Sequence, residues 1–138
     1  MNARCWFVDS GYWLALYNAA DRRNARAQAL AERRPPALVT TEAILLEIGD
    51  SLAGRQNRAF AVALLKRVRS ASNIDVVPLT PDLLGRALQL YAARPDKDWG
   101  LTDCVSFEVM RERGIEEALA ADQHFIQAGF RALLLEPG

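Results

Sequence analysis

The segment Arg4-Cys5-Trp6-Phe7-Val8-Asp9-Ser10-Gly11 decides how the rest of the chain is read. A short apolar run ending at an acid and then Ser-Gly suits a buried strand followed by a turn into a helix. In open parallel sheets covered by helices, ligands gather beyond the carboxyl ends of the strands. Asp9 therefore falls where a functional acid would stand. Its other reading is local, as the N-cap of the helix that starts near Gly11.

The pattern of strand and helix continues downstream. Residues 12–33 read as helical with an interruption near Asn18 to Asp21, and Pro35-Pro36 stops them before a second short strand, Ala37-Leu38-Val39. Thr40 and Thr41 are good N-caps for a helix whose apolar stripe is Ile44, Leu45, Ile48 and Leu52, ended by Gly54. Residues 55–70 repeat the design, with Phe60, Leu64, Leu65 and Val68 expected inward and the Arg and Lys outward, which makes a helical hairpin. Ile74 to Val77 reads as a third strand. Pro78 and Pro81 flank the turn into a helix over Asp82 to Ala93, with Leu83, Leu84, Ala87, Leu88 and Tyr91 on one side and Pro95 beyond its end. A polar stretch, Asp96 to Gly100, leads to a helix from Thr102 to Arg113 that stops at Gly114, and a last strand is expected at Ala132 to Leu135. Glu116 to Asp122 is the exception, because its composition favours helix and only tertiary context would make it a strand. The alternation implies an α/β fold, a mainly parallel sheet covered on both faces and closed by right-handed crossovers, in a single domain over residues 1–138.

Composition narrows the function classes. With 138 residues, 51% of them hydrophobic, the chain can bury one substantial core. No apolar run approaches the ~20 residues of a membrane span and no secretory signal pattern is present, so a soluble, cytoplasmic protein is expected. Cys5 and Cys104 are too few and too far apart for a disulfide framework or zinc spacing and read as small buried hydrophobes. The net charge of zero hides two halves. Residues 22–69 hold ten Arg or Lys against four acids, whereas residues 70–138 hold six against eleven. The basic half reads either as solvated helix faces or as a rim that contacts phosphates near an acidic centre, and charge alone does not separate the two. Neither GxGxxG nor GxxxxGK[ST] occurs, which removes dinucleotide and P-loop readings. The sole histidine, His124, sits in no nucleophile-elbow context and reads as a local hydrogen-bonding or packing residue. Trp6, Trp13 and Trp99 read as core or interface packing ahead of base stacking.

The acids carry the chemistry. Asp103 shares a helix face with Ser106, Phe107 and Met110, at i, i+3, i+4 and i+7. An unpaired carboxylate on that apolar face needs a cation, a basic partner or the helix N-terminus, for which Thr102 could serve as N-cap. Glu47 and Glu42 flank opposite edges of the Ile44 stripe, and periodicity does not choose between them. Asp122 repeats the placement of Asp9 if the segment before it is a strand. Oxygen donors without His or Cys partners suit Mg²⁺ or Mn²⁺. Two carboxylates ~5 Å apart repel by about 3 kcal/mol at an effective dielectric near 20, and a cation reverses that sign. The reaction such a site suits is in-line phosphodiester hydrolysis.

Three passages resemble the PIN-domain family, especially its VapC-like toxins: Phe7-Val8-Asp9-Ser10, Thr40-Thr41-Glu42-Ala43-Ile44-Leu45-Leu46-Glu47, and Leu101-Thr102-Asp103-Cys104 followed by Ala121-Asp122-Gln123-His124-Phe125. The last, continuing into Gln127-Ala128-Gly129-Phe130, is the most specific. The resemblance implies a three-layer α/β/α fold around a central parallel sheet of four or five strands. It assigns the acidic, metal-holding and catalytic roles to Asp9, Glu47, Asp103 and Asp122, choosing Glu47 over Glu42 and placing Asp122 at a strand end. It further implies a Mg²⁺- or Mn²⁺-dependent endoribonuclease acting as the toxin of a toxin–antitoxin pair, with RNA as substrate, an antitoxin that covers the acidic groove, and a homodimer. Asp98 stands as an outer-shell acid or a solvated loop residue, and Ser10 as a hydrogen-bond donor to a ligand or water. The rivals are a non-catalytic RNA-binding or protein-interaction domain, an RNA-processing or DNA nuclease outside such a pair, and a phosphoryl-accepting receiver domain, which usually shows paired acids where this chain has Asp9-Ser10.

Overall fold

The computed structural model describes residues 5–33, 35 and 37–137; Arg4, Arg34 and Pro36, which entered the strand, charge and helix-stop readings, lie outside them. The first strand, β1 (Cys5–Val8), is apolar throughout and is central, pairing in parallel with β2 (Ala37–Thr41) on one side and with β4 (Glu117–Leu119) on the other. β3 (Ile74–Val77) and β5 (Arg131–Ala132) complete a five-stranded parallel sheet in the order β3-β2-β1-β4-β5. The chain therefore winds outward from β1 to β3, then crosses back and winds outward through β4 to β5. Crossovers in two opposite directions put helices on both faces of the sheet. They also create a switch point between β1 and β4, where a crevice opens past the strand ends.

The helices follow from local sequence. Asp9 is the N-cap position of α1 (Ser10–Leu16), and the interrupted segment resumes as α2 (Asn24–Glu32). The two threonines after Val39 divide their work. Buried Thr40 stays in β2 and donates its hydroxyl to the Val8 carbonyl at 2.9 Å, whereas Thr41 caps α3 (Glu42–Ser51) by accepting the Ile44 N–H at 3.1 Å. α3 and α4 (Arg58–Ser70) form the expected hairpin. α5 (Pro81–Ala93) begins with Pro at its first turn behind a Thr80 cap, and α6 (Leu101–Arg113) ends at Gly114, whose φ of 66° is the left-handed conformation that glycine adopts without strain. A short α7 (Gln123–Gln127) joins β4 to β5.

Several expectations are corrected. α6 starts at Leu101 with Gly100 in the cap position, so Thr102 lies inside the helix. α4 starts at Arg58, and its Phe60 is 42% exposed while Ala61, Leu64 and Val68 turn inward. The apolar side of α5 is buried only at Leu83 and Ala87; Leu88 and Tyr91 face solvent. The last strand is two residues long, and Leu133–Leu135 is a 3-10 turn that tucks Leu133 and Leu134 into the core. Glu117–Leu119 is a strand despite its helix-favouring composition, because β1 and β5 pair with its two edges.

Phe7, Val8, Leu30, Ile44, Ile48, Phe107, Phe125 and Leu133 belong to one contiguous core, and Trp6, Trp13 and Trp99 are buried in it. Phe107 is its aromatic hub, with ring centroids 5.0 Å from Trp99, 5.1 Å from Phe125 and 5.7 Å from Phe130. Cys104 is buried and Cys5 half-buried, both as free thiols. No helix among the described residues is long and apolar enough to cross a membrane. Emptying the hub with Phe107→Ala is expected to lower unfolding stability by about 3–5 kcal/mol. Urea titration followed by circular dichroism measures this, and an unchanged midpoint would remove Phe107 from its central place.

Candidate active site

The ladder between β1 and β4 continues one residue past the strands, where the Asp9 N–H donates to the Leu119 carbonyl at 3.1 Å. That bond fixes Asp9 at the mouth of the switch-point crevice. The Asp9 side chain makes no capping hydrogen bond to α1, so its local reading accounts only for the backbone. Ser10, next in sequence and buried, donates its hydroxyl to Glu47 Oε1 at 2.6 Å and so ties α1 to the middle of α3. The other candidate on α3, Glu42, accepts the Leu79 N–H at 2.7 Å and pins the turn between β3 and α5.

Asp103 occupies the first turn of α6, where its Oδ2 accepts the Gly100 N–H at 2.9 Å and lies 3.0 Å from His124 Nδ1. Asp103 therefore caps the helix and also lines the crevice. Asp122 is the N-cap of α7, its Oδ1 accepting the His124 N–H at 2.9 Å and lying 3.3 Å from His124 Nδ1. Asp9, Glu47, Asp103 and Asp122 line one open cleft of about 550 Å³ together with Ser10 and Gln123. Asp98 is exposed in the loop before α6 and does not line it.

His124, read from the sequence as a local hydrogen-bonding or packing residue, makes such contacts beside the acids. Its imidazole stands between Asp103 and Asp122, and ligand atoms of these three residues come within 4.8 Å of one another. The available signal was positional: once Asp122 is an N-cap, a residue two places on sits in the first turn beside it. The basic half of the chain, by contrast, is partly spent on architecture. Arg23 and Arg26 donate to the carbonyls of Leu134 and Leu133, and Arg58 donates to that of Ala53.

Charge in the cleft is one-sided. Burial, and next the neighbouring Glu47 carboxylate, push the Asp9 carboxyl up to about 7; Asp103 and Asp122 add to the rise, and the Ser10 N–H opposes it. A buried carboxyl that holds its proton to neutral pH is short of positive charge. Among the described residues the donors close enough to share one ion are those of Asp103, Asp122 and His124, so an imidazole stands beside the all-oxygen set expected from sequence, while the carboxylates lining the open cleft suit a divalent cation.

The chain belongs to the PIN-domain family, whose model matches residues 6–131. It is similar to the 23S rRNA-specific endonuclease VapC20 of Mycobacterium tuberculosis, strains CDC 1551 / Oshkosh and ATCC 25618 / H37Rv, at 35% identity over 124 residues, covering 90% of this chain and 94% of that protein. The crystal structure of Mycobacterium tuberculosis VapC20, described as a sarcin-ricin loop cleaving toxin, matches with a TM-score of 0.86 at 34% identity, over 95% of this chain and 98% of that one. A toxin–antitoxin complex from Klebsiella pneumoniae matches with a TM-score of 0.55 at 16% identity, over 81% and 82% of the two chains, a likeness of fold alone.

The raised Asp9 carboxyl gives a pH prediction. The folded chain keeps a proton that an unfolded Asp, with a value of 3.8, has released, so this contribution to stability is full below about 4 and is lost as pH rises through about 7. In EDTA, Asp9→Asn is therefore expected to melt several degrees above the wild type at pH 8 and to lose that advantage toward pH 4. Thermal melts across this range test it. A variant that melts below the wild type at pH 8 would make Asp9 a structural acid.

Proposed function

We propose that this chain is a metal-dependent endoribonuclease that hydrolyses RNA phosphodiester bonds, the toxin of a toxin–antitoxin pair, with Asp9, Glu47, Asp103 and Asp122 as its catalytic and metal-holding residues. The observation that carries the reading is that these four acids, from four separate segments, line a single open cleft. Similarity to a 23S rRNA-specific endonuclease over 90% of the chain supports RNA as the substrate and ribosomal RNA as the first to try.

Mg²⁺ or Mn²⁺ would be held by the four carboxylates and, when bound, supplies a nucleophilic water at neutral pH and offsets charge on the phosphodiester oxygens. The protein's own groups prepare for it. Ser10 orients Glu47 through its hydroxyl, and His124 spans Asp103 and Asp122 so that both carboxylates are placed before a ligand arrives. A bound cation would favour the ionised form of the Asp9 carboxyl, which burial and the neighbouring carboxylates push up to about 7. The open side of the cleft admits a strand of RNA.

The same reading assigns the protein to the cytoplasm, a cognate antitoxin to the acidic groove, and a second copy of the chain as dimer partner. Exposed Leu88 and Tyr91 on α5 offer an unpartnered apolar strip of the kind a dimer would cover.

Incubation of purified protein with ribosomes, 23S rRNA and a sarcin–ricin-loop hairpin, in Mn²⁺ or Mg²⁺ and in EDTA, tests the function. Cleavage is expected only with metal, and Asp103→Asn or Asp122→Asn should lower it by about 100-fold or more, beyond the usual effect of outer-shell groups. Cutting that survives in EDTA or in both variants would sink the assignment. His124→Gln is expected to lose about tenfold and to recover with rising Mn²⁺, because it loosens two ligands without removing either; a loss that metal does not restore would give His124 a different role.

A further inference from the structure

A helix as short as α7 does not hold its own direction, because a single turn or so is unstable without tertiary contacts. Yet α7 begins with Asp122 at its cap and carries His124 in its first turn. Where these two side chains sit therefore depends on what α7 grips. Gln123 and Ile126 are exposed, and Phe125 is buried against Phe107 with ring centroids 5.1 Å apart. The remaining anchors, His124 and Gln127, are three residues apart and so share a helix face.

That face meets the start of α6 at two points. His124 Nδ1 lies 3.0 Å from Asp103 Oδ2, and the Trp99 indole N–H donates to Gln127 Oε1 at 3.1 Å. Trp99 stands just ahead of α6 and is 5% exposed, and a buried indole N–H requires an acceptor, which Gln127 supplies. The ring is braced before it donates. It packs edge to face on Phe107 at 5.0 Å, and the Arg94 guanidinium lies over it, 5.2 Å from the ring centre, itself gripped by Asp96 through two bonds of 2.9 Å.

The two points differ in one respect. Asp103 and His124 offer donor atoms to the cleft, so an arriving ligand competes for the contact between them. Trp99 and Gln127 are not among the residues that line the cleft, and their bond is free of that competition. Resting on the ribonuclease reading, we propose that Trp99 and Gln127 are positioning residues for the acidic centre: their hydrogen bond is the fixed half of a two-point latch that holds α7 against the start of α6 and sets Asp122 and His124 at their distance from Asp103. A single contact would leave α7 free to pivot. The second, toward the other end of the helix, removes that freedom.

Mn²⁺ binding to the full chain, followed by calorimetry and by electron paramagnetic resonance, tests this without RNA. Gln127→Met removes the acceptor at an exposed position, and Trp99→Phe removes the donor while keeping a ring beside Phe107. Each is expected to raise the Kd for Mn²⁺ by about three- to tenfold, at or below the effect of a partner that touches a metal ligand directly. The double variant should lose no more than the larger single loss, because the two side chains act through one bond. Melting in EDTA separates positioning from packing: Gln127→Met should melt close to the wild type and still bind Mn²⁺ less tightly. An unchanged Kd in Gln127→Met, or losses that multiply in the double variant, would overturn the latch even if Trp99→Phe is destabilised. Cleavage by the wild type is assayed separately, so that a protein that binds Mn²⁺ and cuts no RNA fails the ribonuclease reading alone, and one that binds no Mn²⁺ fails the latch as well.

Discussion

Like-charge repulsion at the end of the sheet is the constraint to which the rest of the molecule is fitted. The strand order β3-β2-β1-β4-β5 makes β1 and β4 neighbours whose crossovers depart in opposite directions, so Asp9 and Asp122 are drawn to the same crevice, and α3 and α6 bring Glu47 and Asp103 to its walls. Each carboxylate is then held by a different device. Asp9 has its carboxyl pushed up to about 7, Glu47 accepts a hydroxyl, Asp103 accepts a backbone N–H at a helix N-terminus, and Asp122 caps α7. These devices lower the cost of crowding without removing the negative charge that a cation would need. The core beneath supplies the remaining stability, with Phe107 one turn below Asp103 and Phe125 one residue past His124, the two rings in contact.

How much of this was legible depends on whether local or distant partners decide a segment. β1 and β3 announce themselves as short apolar runs bounded by turn residues, and α3 by apolar residues that recur at helical spacing. β4 does not, since Glu116 to Asp122 favours helix intrinsically and its Glu117–Leu119 is a strand only because β1 and β5 lie on either side of it. Phe60, Leu88 and Tyr91 mark the opposite failure. Periodicity identifies an apolar face correctly but does not reveal whether the fold supplies anything to cover it, and here α4 and α5 leave part of theirs in solvent.

The acids divide in the same way. Asp9 is readable because it follows a strand, and Asp103 because it breaks an apolar face. Choosing between Glu42 and Glu47 required family resemblance; in the fold the Glu42 carboxylate is engaged by the Leu79 N–H, whereas Glu47 meets Ser10 at the cleft. His124 could not be placed by pattern at all, because its neighbours Asp103 and Asp122 are brought together only when α6 and β4 are docked.

The pairing of β1 with β4 has a consequence in time. β1 is made well before its partner β4, and with it before Asp122 and His124. During synthesis β1 can pair with β2 and α3 can dock, giving a nascent chain that holds Asp9 and Glu47 but half of the crevice. The closing step is the arrival of α6, β4 and α7. Asp9 and Asp122 thus share one cleft only because segments far apart in sequence dock side by side, so the acidic centre is a product of the tertiary fold and not of any local stretch of chain.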